Sequence, residues 1–133
     1  MKLNEKTIFL LDGIGAALSA TANGLILPLF SERIGFSATN LRLLGLIGFL
    51  FAAYSLTCFL VVRRPKSHML LAIILGNSLY CLLLLAIASL SSELSVWGRA
   101  YFIGEVAIIA GIVFLEAKVY RSSFRQKIGV TQD

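Results

Sequence analysis

Apolar residues in this chain fall into four long runs with short polar breaks between them. The runs cover residues 7–30, 43–62, 69–90 and 96–117. The first, Thr7 to Phe30, is interrupted by one charge, Asp12. The second, Leu43 to Val62, and the third, Met69 to Leu90, carry none. The fourth, Val96 to Ala117, holds Arg99 near its start, Glu105 inside and Glu116 at its end. Each is close to the ~20 residues that a helix rising 1.5 Å per residue needs to cross about 30 Å of hydrocarbon. A lone strand in lipid could not satisfy its backbone groups, so the runs predict helices. The breaks contain stop and start signals: Gly35 with Thr39 and Asn40 as N-caps, Pro65 followed by Ser67, and Ser95. Short links force neighbouring helices antiparallel. The expected fold is all-α, a transmembrane antiparallel four-helix bundle forming one domain over 1–133, with a basic tail at 118–133.

Composition agrees. The chain is 58% hydrophobic and 14% charged, against about 45–50% and 25% in soluble domains. The net charge of +5 does not point to nucleic acid, because no basic face with interleaved aromatics lies outside the runs. The basic residues sit at run ends, where they meet anionic lipid headgroups. Lys2, Lys6, Arg63, Arg64, Lys66, Lys118, Arg121, Arg125 and Lys127 share one side, and Arg33, Arg42 and Arg99 the other. The positive-inside rule then places both termini in the cytoplasm. Trp97 and Tyr120, at opposite ends of the fourth run, fit interfacial anchors. Lys2, Lys6 and Ala20-Thr21-Ala22 imitate a cleavable secretory signal. Asp12 in the would-be apolar core and the continuation to Phe30 argue instead for a retained first span.

Polar residues inside the runs are the candidates for function. Asp12, Ala16, Ser19 and Asn23 share one helical face, and Ala16, Ala20 and Gly24 form a small stripe beside it. The second run matches that stripe with Gly45, Gly48, Ala52 and Ser55. Gly15 and Gly104 join these as residues expected to let helices approach closely. Ser19 and Asn23 are read as inter-helix hydrogen-bonding groups. Asp12 lies about 8–9 Å in from the helix start and is expected to snorkel or pair with Lys6. Glu116 is expected to reach the headgroups. Glu105 lies near the midplane, with no buried basic residue to pair with it. It therefore needs a proton, a bound cation or water. Asp12, Tyr54, Asn77, Tyr80 and Glu105 fall at depths that could meet in one polar pocket, with Tyr101 one turn from Glu105. The plainer explanation, hydrogen bonds that fix helix register, has equal weight.

Several chemistries drop out. His68, the single histidine, falls in a link. Metal sites need clustered His, Cys or acids, which the sequence lacks. Cys58 and Cys81 lie at different depths and form no Cys-x-x-Cys, which disfavours a thiol oxidoreductase. Gly13-Ile14-Gly15 inside a span is better explained by helix packing than by a dinucleotide fold. No cofactor is implied.

Leu11-Asp12-Gly13-Ile14-Gly15-Ala16, Tyr101-Phe102-Ile103-Gly104-Glu105 and Phe114-Leu115-Glu116-Ala117-Lys118 resemble a group of small bacterial four-span proteins of unknown function. That resemblance implies a bacterial inner membrane and no activity. Size and span count are also similar to small multidrug-resistance transporters, which carry an acid in their first helix, but the residues around Asp12 do not match theirs. The leading reading is a small transporter or channel-like unit. It would bind a proton or cationic solute at Glu105, Asp12, Tyr54, Asn77, Tyr80 and Tyr101, and would act as a homodimer. The alternative is a non-catalytic membrane subunit or assembly factor packed on a partner membrane protein. A third is an enzyme acting on a lipid or quinone, with a carboxyl as general acid–base. For topology, a reporter active only outside the cytoplasm should be silent when fused at Asp133 and active when inserted near Ser37. Activity at Asp133 would reverse the orientation.

Overall fold

A computed structural model of the chain describes residues 4–130. Helix α1 (Glu5–Thr21) starts where the Asn4 side chain accepts the Thr7 N–H at 2.7 Å. Pro28 has no N–H to give to Gly24, so the ordinary ladder cannot continue past it. The chain responds with a π segment, Ala22–Ile26, in which the Leu27 N–H reaches back to the Ala22 carbonyl, and then a 3₁₀ turn, Leu27–Phe30. Helix α2 (Ser31–Ile34) completes a rod over Glu5–Ile34. Gly35, at φ 75°, ends it. A Cβ there would also lie 2.0 Å from the Glu93 carbonyl oxygen, so only glycine fits.

The other spans are α3 (Ala38–Val61), α4 (Ser67–Leu90) and α5 (Val96–Val130). All four rods are long and apolar enough to cross a membrane, and the chain is an all-α four-helix bundle. Four expectations at the ends need correction. Ser31–Ile34 is helical, and Ser37 rather than Thr39 or Asn40 caps α3, accepting the Asn40 N–H at 3.2 Å. Lys66 occupies the cap position of α4, while Ser67 accepts a hydrogen bond from Lys127 Nζ at 2.8 Å. The fourth helix does not stop near Ala117 but runs to Val130, so most of the basic tail is helix; residues 131–133 lie outside the described residues. Ser95 does cap α5, accepting the Gly98 N–H at 3.1 Å.

The helices associate most closely as two pairs, α1 with α3 and α4 with α5. The first pair is set by small residues. A Cβ on Gly45 would lie 2.4 Å from the Gly24 Cα and 3.0 Å from the Ala20 carbonyl oxygen, and one on Gly48 would lie 3.2 Å from the Ala20 Cα. The two stripes thus meet each other. In lipid, where apolar burial gives no drive to associate, such backbone approach supplies dispersion contact.

The interior is layered. Ile8, Phe9, Cys58, Leu70, Ile73 and Val119 form an apolar cluster toward the termini. A second apolar cluster at the other end contains Ile34, Leu41, Leu44, Leu84, Leu94 and Phe102. Between them lies a polar belt. Among the described residues the buried polar and charged set is Asp12, Asn23, Ser55, Asn77, Glu105 and Glu116. Leu18, Leu29, Phe49, Leu60 and Leu90 stand on the outer surface, which a bilayer would cover. Gly45→Ala should destabilise the bundle by about 1–3 kcal/mol, because its methyl meets backbone rather than a movable side chain. Gly111→Ala, whose Cβ would meet nothing within 4 Å, should stay within about 0.5 kcal/mol. Denaturant unfolding in micelles measures both.

Candidate functional site: a belt of buried carboxyls

Three carboxyl groups are buried in the belt and no Lys, Arg or His is buried with them among the described residues. They are held by neutral donors in two clusters. Nearer the termini, Asp12 accepts from Ser55 Oγ and, at 2.5 Å, from Asn77 Nδ2. The same Asn77 amide donates to Glu116 Oε1 at 3.0 Å. Its two N–H groups therefore bridge two acids from different spans. The Asp12 and Glu116 carboxyls also face each other. Glu116 Oε2 has no protein partner.

The second cluster lies about 16 Å further along α5, at Glu105. Ser19 Oγ donates to Glu105 Oε1. Asn23 Nδ2 is 2.9 Å from Oε1 and 3.2 Å from Oε2. It also lies 3.1 Å from Tyr80 Oη and 3.3 Å from Ser19 Oγ. One amide offers two hydrogens to four acceptors, so these contacts cannot all form together. Tyr80 Oη sits 3.5 Å from Glu105 Oε1. The Asn23 carbonyl oxygen is fully buried and accepts nothing. The π segment places this residue: the widened turn at Ala22–Ile26 falls where Asn23 enters the belt.

A cavity of about 440 Å³ joins the clusters, with Asp12, Ser19, Asn77, Tyr80, Tyr101 and Glu105 as its polar lining. The rest of its wall is glycine, alanine and larger apolar side chains. Its size is within the range of small-molecule pockets.

The candidate residues divide accordingly. Asp12, Asn77, Tyr80, Tyr101 and Glu105 border this cavity. Tyr54 does not; it is exposed, its hydroxyl lies 3.4 Å from the Met69 carbonyl oxygen, and it borders a smaller recess beside Asp12 and Asn77. The single convergent pocket is thus two clusters along one cavity. Asp12 neither snorkels nor pairs with Lys6, whose ammonium lies over the Phe59 ring at 5.6 Å. Glu116 does not reach the headgroups; it has no exposed surface. Gly104 makes no close helix contact, since a Cβ there would meet nothing within 4 Å. A Cβ on Gly15 would lie 3.1 Å from Ile112 Cδ1, so it does mark a close approach of the first and fourth spans.

The sequence held a signal for Glu116. Asp12 and Asn23 are eleven residues apart, as are Glu105 and Glu116. Eleven residues are three helical turns, which return to one face. On antiparallel helices the two intervals match, so Asp12 meets Glu116 and Asn23 meets Glu105. Ending the fourth span at Ala117 hid this.

No family model, curated protein or solved structure matches this chain. Function must be read from the belt itself.

Asn77 carries the sharpest structural test. Asn77→Leu leaves two facing acids without their shared donor and should cost on the order of 3 kcal/mol. Adding Asp12→Asn and Glu116→Gln removes the acids and should recover most of that loss. Unfolding of the single, double and triple variants reads the coupling.

Proposed function

We propose that this chain is a small membrane transporter unit whose belt binds a cation or a proton, with Glu105 as the principal ligand group. The observation that carries the reading is the Glu105 site. A carboxyl sits in the cavity wall inside a lipid-facing bundle, surrounded by neutral oxygen and nitrogen groups, with no basic side chain to neutralise it. An ionised acid at that depth costs roughly 2.5–3.5 kcal/mol on insertion scales. A purely structural residue could be glutamine, whose amide oxygen would keep the Oε1 contacts with Ser19 and Asn23 without that cost. A carboxyl is required where something positive comes and goes. Asp12 and Glu116 extend the same chemistry to the cluster nearer the termini.

The layered interior favours a carrier over an open channel. Apolar clusters fill both ends of the bundle, so the belt has no continuous wet path to either face. The accessory-subunit reading loses its main support, because the small-residue stripes that would receive a partner helix are occupied by each other. The orientation with both termini in the cytoplasm and placement in a bacterial inner membrane belong to this proposal.

Proteoliposomes with an entrapped pH dye should move protons when a guanidinium gradient is imposed. Glu105→Gln should keep its helical circular dichroism and unfolding midpoint and reduce that exchange at least tenfold. Undiminished exchange in Glu105→Gln would overturn the reading.

A further inference from the structure

The cavity is closed toward both ends of the bundle but open on its side. The first and fourth spans touch nearer the termini, where Gly15 meets Ile112. They touch again at the far end, where the Ile34 carbonyl accepts the Ser95 N–H at 2.9 Å and Gly98 packs against the same oxygen. Between these contacts the spans are bridged inside the bundle by the Ser19 and Asn23 hydrogen bonds to Glu105, and outside that bridge a gap remains. Leu18 and Ala22 line the cavity from one side of the gap, and Ala100, Gly104 and Ile108 from the other. Leu18 is 67% exposed and Ile108 68% exposed although both border the cavity. Gly104, one turn along from Ile108, leaves its position open. This is a window in the bundle wall, and what lies outside it is lipid rather than water.

Two features of the inner end define what would enter. No Lys, Arg or His among the described residues is buried beside the Glu105 carboxyl, and the fully buried Asn23 already holds that carboxyl from behind at 2.9 Å. Together they call for a positively charged group carrying N–H bonds. The apolar walls call for an apolar body behind it. A phospholipid amine fits poorly. Its phosphate would follow the ammonium to within reach of Glu105, about 13 Å from the start of α5, where no basic residue is buried to receive it.

We propose that the window between the first and fourth spans admits a phosphate-free amphipathic cation with an ammonium or guanidinium head directly from the bilayer, and that the head docks on Glu105. This rests on the cation-binding reading of Glu105 and adds to it the route and the ligand class. The head would donate to the carboxylate. The body would lie along Leu18 and Ile108 in the opening.

The test uses the full chain in phosphatidylcholine vesicles and dodecylguanidinium with a diazirine in its alkyl chain. Illumination should attach the probe to residues 18–22 and 100–108, located by mass spectrometry. Glu105→Gln should cut labelling at least tenfold. Gly104→Leu, which fills an open position and keeps the Glu105 carboxyl, should cut it to a similar degree, and Leu18→Trp gives a second block from the other side. Guanidinium itself, which lacks the apolar body, should compete at least tenfold less well at equal concentration. Labelling unaffected by both blocking variants would overturn the lateral route. Equal competition by guanidinium would overturn it too, leaving Glu105 as a cation site reached from water. Competition by phosphatidylethanolamine would overturn the phosphate-free class. No Glu105-dependent labelling, with guanidinium-driven exchange intact, would sink this inference alone; loss of both would sink the cation-binding reading as well.

Discussion

Everything in this bundle answers to one constraint: three acids are buried in a lipid-facing protein and, among the described residues, no base is buried with them. Lipid offers neither hydrogen bonds nor screening, so each carboxyl must find its donors inside the bundle. The donors come from across it. Asp12, on the first span, is held from α3 by Ser55 and from α4 by Asn77. Glu105, on α5, is held from the first span by Ser19 and Asn23. Sliding any helix by one turn would move its donor about 5.4 Å and leave a carboxyl bare. The belt therefore sets the register that featureless apolar surfaces cannot set.

Packing and polarity divide the work by helix pair. Between α1 and α3, Gly24, Gly45 and Gly48 bring the backbones together. Between the first and fourth spans, polar groups and the Gly15–Ile112 contact hold the near end, and the Ile34–Ser95 hydrogen bond holds the far end. The cavity runs along the belt between these contacts, with Ser19 and Glu105 in its wall. Pro28 contributes from a distance. It forces the π segment that turns Asn23 into the belt, so a missing N–H two turns from Glu105 shapes the surroundings of the carboxyl.

The fold was nearly all legible in the sequence, because hydropathy and length are local properties and the bilayer fixes both. The four runs became four helices. What was not legible lay at their ends and in their side-chain geometry. The helical extension past Ala117 follows basic residues that read equally well as tail, and charge alone does not terminate a helix. Tyr54 has the right depth for the pocket but sits at the wrong angle on α3, and depth was the only coordinate the sequence supplied. Glu116 was discounted for lying near a run's end, although its spacing from Glu105 repeats that of Asp12 and Asn23. The π segment was not anticipated, since its cause is a proline several residues downstream.

The partners of Asp12 carry a consequence for how the protein is made. Ser55, Asn77 and Glu116 all follow it in the chain. A ribosome delivers the first span before any of them exists. The leading helix must therefore enter the membrane, or wait at its edge, with an acid that has nothing to bond to. Ser55 and Asn77 arrive with the second and third segments, and Glu116 only when the last is nearly complete. Biogenesis is thus tied to chain order. The first span becomes a settled membrane helix late, and any pause in synthesis between Asp12 and Ser55 holds the chain in its least protected state.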